Sequence, residues 1–267
     1  MGSPGRSTGT RRLALLEAVE RAARQAGALI LEVYGRDFDV QAKADASPVT
    51  EADLLAEDCI VAALREIDPG ACVVAEEAVA QAQTPAAAAR FWLVDPLDGT
   101  REFVSRNGEF TVNIALIKDG VPVLGVVLEP VAQRMYSGVQ GQGAWITEGG
   151  ARHPMRCRVP SPQALVMASS RSHADDQALQ RWLQGWLCGR SVARHLRAGS
   201  SLKFGLLAAG RADLYPRLGR TMEWDTAAGH AVLLAAGGEV LDLQGAPLRY
   251  GKPGFENPHF VAQAWPA

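Results

Sequence analysis

The segment 92–103, WLVDPLDGTREF, sets a run of strand formers directly against two carboxylates three residues apart, a proline, a glycine and a threonine. A strand has to end somewhere, and Asp, Pro and Gly end strands in turns. The same arrangement can aim Asp95 and Asp98 at one object just past a strand end, where open α/β sheets take their ligands. The flanking sequence has to decide between these two readings.

Upstream, apolar residues at Leu15, Leu16, Val19, Ala22, Ala26, Leu29, Ile30 and Val33 recur at a helical period and predict a helix over 11–34. A second helix is expected from Thr50 to about Ile67. Thr50 is its N-cap and Asp53 stands at the third position, as in a capping box. ACVVAEE, 71–77, reads as a short strand ending in Glu76 and Glu77, and 78–89 reads equally as a loop or a short helix. Downstream, 108–131 reads as two strands joined at Lys118-Asp119-Gly120, and 134–146 as a further hairpin. A second α/β segment then follows: strand ALVMASS, a helix over about 174–187, strand SVARHL, a short helix stopped by Gly210, strand ADLYPR, a helix from Trp224, and EVLDL as the last strand. Strands alternating with helices predict a layered α/β fold. Two sheet-bearing parts, 1–155 and 156–267, are expected to meet near 150–160.

Composition limits the function. The chain has 267 residues, 48% hydrophobic and 21% charged, enough for a sizeable core. A formal net charge of -2 does not suit a nucleic-acid polymer as partner. There is no apolar run long enough for a membrane span and no signal-peptide core in the first ten residues. Cys59, Cys72, Cys157 and Cys188 form no CxxC pair and read as buried free thiols of a reducing cytoplasm.

The acids at element ends carry the chemistry. Glu76 and Glu77 end one expected strand, Asp95 ends another, Asp98 lies in the turn after it, and Asp225 opens a helix. Gathered together, such acids repel one another unless a cation sits among them. An all-oxygen set without Cys or His suits Mg²⁺ better than zinc. Gly99 and Thr100 add backbone N–H groups able to hold a phosphate. Plainer readings exist for each: turn chemistry for Asp95-Pro96, solvated surface for the Glu pair, helix capping for Asp53, and the positive end of a helix for Asp225. No GxxxxGK[ST] loop is present, which argues against ordinary nucleoside-triphosphate hydrolysis.

Taken together, Asp53, Glu76-Glu77, DPLDGT at 95–100 and WDTAAGHAV at 224–232 resemble the lithium-sensitive, Mg²⁺-dependent phosphatases of the inositol monophosphatase family. The pattern of that family is an early Asp, then EE, DPxDGT and WDxxA, in this order. The stretches GEFTVNIALIKDGVPVLGVVLEPV, SSRSHAD and GSSLKFGLLAAGRADLYPR are similar to its branch of bacterial 3'(2'),5'-bisphosphate nucleotidases. One departure is AEEA, where many relatives have Gly or Ser before the pair and Ser or Asp after it.

The resemblance implies an α/β/α/β/α sandwich and removal of the 3'-phosphate from adenosine 3',5'-bisphosphate to give AMP, with 3'-phosphoadenosine 5'-phosphosulfate as a further candidate substrate. It implies two or three Mg²⁺ ions, with Mn²⁺ as a substitute, held by Glu76, Asp95, Asp98, Asp225 and the Leu97 carbonyl. Asp53, Glu76 and Thr100 are the expected catalytic groups, with Glu77 outside the ligand set. Gly99, Thr100, His173, Ser200, Lys203, Arg217 and Asp225 are expected on the substrate, Lys203 and Arg217 at its 5'-phosphate. The expected partner is a small nucleotide. The chain is expected to be cytoplasmic, as monomer or homodimer, with at most weak association with the inner face of the membrane. The alternatives are an inositol or sugar phosphatase with the same acidic core, and a non-catalytic nucleotide-binding protein.

Overall fold

The computed structural model describes residues 4–43, 48–81, 88–170 and 177–265. The first apolar stripe forms α1 (Pro4–Tyr34), longer at its start than the periodicity predicts. Val40–Ala42 (β1) and Pro48–Thr50 (β2) pair as a small antiparallel ribbon. It leads into α2 (Glu51–Ile67), whose Thr50/Asp53 capping box is formed as expected. Next come β3 (Cys72–Ala75) and α3 (Glu76–Ala80). Glu76 and Glu77 therefore open a short helix, where the sequence pattern had them ending the strand. There follow β4 (Arg90–Asp98), α4 (Thr100–Val104), β5 (Thr111–Lys118), β6 (Val121–Glu129), β7 (Arg134–Val139), β8 (Gly143–Glu148) and β9 (Ala151–Met155). Positive φ at Asp119 (52°) and Gly120 (74°) matches the tight hairpin turn expected there.

The second part of the chain runs β10 (Leu165–Ser169), α5 (Gln177–Leu187), β11 (Val192–Arg197), α6 (Leu202–Ala208), β12 (Leu214–Arg217), α7 (Glu223–Ala235), β13 (Glu239–Asp242) and β14 (Phe260–Gln263). Neither β9 nor β14 was expected, so EVLDL is not the last strand. Cys188 is exposed and the other three cysteines are partly buried, a correction to four buried thiols, although all four are free.

Two large sheets result. The first has seven strands in the order β3-β4-β5-β6-β7-β8-β9, and the second has five in the order β11-β10-β12-β14-β13. Strand alternation distributes their side chains. On β4 and β5, Trp92, Val94, Ile114 and Leu116 pack beneath α1 and α2, while Phe91, Leu93, Ala115 and Ile117 face the opposite way. There they meet Phe204, Ala228 and Val232 of α6 and α7, which also contact Tyr215, Val240 and Phe260 of the second sheet. Leu179 and Leu183 of α5 cover the outer face of that sheet against Met167, Leu214 and Val261. The layers are thus α1/α2, seven strands, α6/α7, five strands and α5, the α/β/α/β/α order expected. With both faces of β4 covered, its stretch 91–94 is continuously apolar. Among the described residues no helix is long and apolar enough to cross a membrane.

Helix α7 lies close on the first sheet because two strand glycines admit it. A Cβ on Gly125 would stand 2.3 Å from the Ala228 carbonyl oxygen, and one on Gly138 would stand 2.8 Å from the Val232 Cα. Backbone cannot swing aside as a side chain can, so Gly125→Ala and Gly138→Ala should each cost roughly 2 to 3 kcal/mol by overpacking. Calorimetry should read this as a fall in Tm of about 4 to 12 °C. Unchanged melting would mean that α7 can lift from the sheet without loss.

Candidate active site

Strand β4 delivers the first acids. Asp95 still pairs in the ladder with Asn113, Pro96 has no N–H to contribute, and the register shifts before Asp98 rejoins opposite Thr111. Both readings of DPLDGT therefore hold at once: the proline breaks the ladder, and the break places two carboxylates side by side. Asp95 is buried, and its Oδ1 accepts the Leu97 N–H at 3.1 Å. Asp98 Oδ2 accepts from Asn113 Nδ2 (3.2 Å), and the one hydroxyl hydrogen of Thr111 is shared between Asp98 Oδ2 (3.3 Å) and Asn113 Oδ1 (3.1 Å). Gly99 follows with φ at +95°, and a Cβ there would lie 2.2 Å from Ser200 Oγ. Only glycine suits that conformation and that approach.

Asp53 reaches the same place from α2. Its Oδ2 accepts from the Thr50 N–H (2.8 Å) and hydroxyl (2.7 Å), and its Oδ1 lies 3.2 Å from Thr100 Oγ1. Capping and contact with Thr100 are two uses of one carboxylate. Asp225 arrives on α7, where its Oδ2 accepts the Met222 N–H at 2.8 Å and its own backbone carbonyl accepts from Ser201 Oγ at 2.6 Å. Glu76 and Glu77 are bridged by Lys43, whose Nζ lies 2.7 Å from Glu76 Oε1 and 2.6 Å from Glu77 Oε1.

The acids raise one another. Burial, then the charges of Glu76, Asp98 and Asp225, push the Asp95 carboxyl well above its usual range. Burial, Asp98 and Glu76 do the same to Asp225, and burial raises Asp53. Burial takes Glu77 up to about 7, outweighing the ion pair to Lys43. Burial works to lower Lys43, but Glu76 and Glu77 override it and keep the ammonium charged. As the side chains stand, no three carboxylates converge on one metal-sized point among the described residues. Each acid has an oxygen engaged by an internal donor instead. The donor set nonetheless fits a hard cation: it is all oxygen, buried at Asp95 and half-buried at Glu76, Asp98 and Asp225, and mutually repelling, and Lys43 stands as the positive charge beside Glu76.

A cleft of about 200 Å³ opens beside these acids, lined by Asp98, Gly99, Ser200, Lys203, Arg217 and Asp225 among others. Larger cavities lie elsewhere, such as the one between Leu31 and Met135 and the one at Arg36 and Asp39, but none of these acids lines them. Ser200 has φ +46°, and its hydroxyl bonds the carbonyls of Asp98 (2.8 Å) and Glu109 (2.9 Å). Lys203 is buried and donates to the carbonyls of Ser200 (2.5 Å) and Ala198 (3.2 Å). Burial lowers its ammonium to about 8, with Arg217 adding to the effect and Asp98 opposing it. Arg217 holds Ser170 Oγ (3.4 Å) and the Arg220 carbonyl (3.3 Å), and its buried Nε has no partner among the described residues. His173 lies outside the described residues. Of the other histidines, His230 is buried against Tyr250 and lowered by burial to about 3, while His153, His195 and His259 are exposed.

Several functional neighbours carry no motif. Lys43 is a single lysine in an irregular stretch. Glu57, which accepts the N–H groups of Glu77 and Ala78 at 2.8 Å each, sits four residues after Asp53 on the same helix face, a spacing that could have marked it. Asn113 is a polar residue inside the apolar run TVNIALIK, and that mismatch is its only sign.

The layered sheets, with acids delivered at strand and helix ends into one cleft, define an α/β protein built to bring like charges together. The chain belongs to the inositol monophosphatase family, whose model matches residues 13–265. It is 48% identical over 251 residues to the 3'(2'),5'-bisphosphate nucleotidase CysQ of Escherichia coli (strain K12), covering 92% of this chain and 98% of that one. Its structure is similar to CysQ from Bacteroides thetaiotaomicron, a bacterial member of the same family, at TM-score 0.79 and 37% identity over 94% of this chain and 97% of that one. It is also similar to the extragenic suppressor protein SuhB from Bartonella henselae, at TM-score 0.75 and 26% identity over 94% and 93%.

The raised carboxyls set the stability of the metal-free protein. Unfolded, Asp95 and Asp225 titrate near 3.8; folded, they titrate well above it. Through that window the folded state binds more protons, so stability falls as pH rises. Asp95→Asn should therefore melt higher than the parent at pH 8 in EDTA, and the gap should close toward pH 4. With saturating Mg²⁺ the parent should gain more than the variant. Calorimetry at both pH values reads this directly. A variant that melts lower than the parent in EDTA at pH 8 would contradict the repulsion.

Proposed function

We propose that this chain is a Mg²⁺-dependent phosphomonoesterase that removes the 3'-phosphate of adenosine 3',5'-bisphosphate, giving AMP and phosphate. One observation carries the reading: a single cleft has an acidic pole at Asp98 and Asp225 and a basic pole at Lys203 and Arg217. A substrate with a reacting phosphate at one end and a second phosphate at the other matches both. The name of the 48% identical relative points the same way.

Glu76, Asp95, Asp98, Asp225 and the Leu97 carbonyl would hold two or three Mg²⁺ ions, with Mn²⁺ as a substitute. When bound, Mg²⁺ supplies positive charge to the scissile phosphate and to the oxygen that leaves. The protein's part is proton movement and positioning. Thr100 Oγ1 directs its proton at Asp53 Oδ1, 3.2 Å away, which leaves its lone pairs toward the attacking water. The water passes a proton to Thr100 as Thr100 passes its own to Asp53. Its oxygen bonds to phosphorus in line, the P–O3' bond breaks, and the 3'-oxygen takes a proton from solvent. Burial of Asp53 raises its carboxyl, which makes it the better acceptor. Glu76 is a second acceptor. The N–H groups of Gly99 and Thr100 would hold the equatorial oxygens.

The far end uses the basic pole. Lys203 has three N–H donors and gives two to carbonyls, leaving one for a 5'-phosphate. The buried Nε of Arg217 is a donor of the same kind. Ser200 holds the turn between the poles.

Metal removal, substitutions and pH dependence test the reading. Excess EDTA should abolish phosphate release, and Thr100→Ala should lower kcat by about 100-fold or more with little change in Tm. Lys203→Ala and Arg217→Ala should each lower kcat/KM for adenosine 3',5'-bisphosphate by ~10- to 100-fold, the loss of a charge-assisted hydrogen bond, and barely affect adenosine 3'-phosphate. With Lys203 lowered to about 8, KM for the bisphosphate should rise above that pH while KM for the 3'-monophosphate stays level. Inositol 1-phosphate turned over faster than the bisphosphate would move the assignment to a monophosphatase.

A further inference from the structure

Asn113 lies in the middle of the cleft's supporting structure. It pairs with Asp95 across β4 and β5 and, like Ala115 and Ile117 two and four residues on, faces the α6/α7 layer. It is buried, so its amide has to be satisfied internally. Its two Nδ2 hydrogens go to Asp98 Oδ2 at 3.2 Å and Ser201 Oγ at 3.0 Å, and its Oδ1 accepts from Thr111 Oγ1 at 3.1 Å. This orientation is dictated by charge, because the flipped amide would turn its oxygen on the Asp98 carboxylate. Ser201 passes its own hydrogen to the Asp225 carbonyl at 2.6 Å. One residue earlier, Ser200 Oγ bonds the Asp98 carbonyl, and Lys203 Nζ bonds the Ser200 carbonyl.

We propose that Asn113 is a positioning residue that joins the Asp98 carboxylate to the 199–203 turn, so that binding of the cation and binding of the remote phosphate are coupled. The inference rests on the phosphatase reading. An Asp98 side chain that turns to a cation carries the Asn113 amide with it, and the amide carries Ser201. The turn that moves holds Lys203 and is fastened to α7 through Asp225. An anion drawn to Lys203 and Arg217 biases the same turn from the other end. Coupling of this kind is reciprocal: each ligand must tighten the other by the same factor. A buried asparagine that only filled space would stabilise the fold and leave the two affinities independent.

The test is the Mg²⁺ dissociation constant of the full chain, measured by titration calorimetry alone, with AMP, and with adenosine. AMP carries the 5'-phosphate and has no 3'-phosphate to lose; adenosine lacks both. For the parent, AMP should tighten Mg²⁺ by about fivefold or more, and adenosine should not. Asn113→Ala should weaken Mg²⁺ in the absence of nucleotide and remove the AMP effect. Ser201→Ala keeps the Asn113–Asp98 contact and cuts the bridge beyond it; it should remove the AMP effect as well. It also carries the test alone if Asn113→Ala fails to fold. The double variant should lose no more than Asn113→Ala, since both belong to one connection. An AMP effect that survives in either variant, or is missing in the parent, overturns the inference. A parent that binds no Mg²⁺ overturns the metal reading and the inference with it. A parent that couples Mg²⁺ to AMP yet hydrolyses no 3'-phosphate leaves the bridge standing and overturns the proposed function.

Discussion

Everything in this molecule is arranged around a repulsion. Asp95, Asp98, Asp225 and Glu76 carry like charges into a poorly solvated space, where their interaction is strong. The charge of Asp95 is opposed by burial and by three neighbouring carboxylates. Nothing local would keep these groups together. Each is held from behind: Asp95 by the ladder of β4, Asp98 by Thr111 and Asn113, Asp225 by the N-terminus of α7, and Glu76 by Lys43. The hydrophobic layers provide the stability against which this unfavourable arrangement is set.

Lys43 shows how the arrangement is eased. Its ammonium bridges Glu76 and Glu77, two acids at the start of α3. Glu57 supports the same point from α2 by accepting the N–H groups of Glu77 and Ala78 in the first turn of that helix. A lysine is a poor substitute for a divalent ion, with one charge on a flexible stem. Its charge also lowers Asp95, but burial and the carboxylates of Glu76, Asp98 and Asp225 outweigh it, and that acid remains displaced.

Much of this was readable in the chain. The capping residues Thr50 and Asp53, the DPLDGT break and the WDTAAGHAV helix each have a local chemical signature, and the strong periodicity of α1 and the apolar runs of β4 to β6 mark the layers. What was hidden depends on distance. β9 is an exposed strand at the sheet edge, and its Pro154 is tolerated only because it sits there. β14 is four buried residues, FVAQ, too short for any periodicity to register. Glu76 and Glu77 look like the end of a strand because helix α3 has only five residues to declare itself. Asn113 and Lys43 acquire their meaning from partners 15 to 88 and 33 to 34 residues away, and no local pattern encodes such pairings.

The position of β14 also bears on how the chain is made. It lies between β12 and β13 in the second sheet, and Phe260 pairs with Arg217. Chains fold as they emerge, earlier segments first. The seven-stranded sheet is complete at Met155, while β12 has to wait for a neighbour 43 or more residues downstream. Glu76, Asp95 and Asp98 are therefore laid down early during synthesis, Asp225 follows later on α7, and the strand that carries Arg217, already beside β10, gains its second neighbour only when β14 slots in. A nascent protein on the ribosome holds three of its four crowded acids well before it makes Lys203 and Arg217, and the fourth comes only after them.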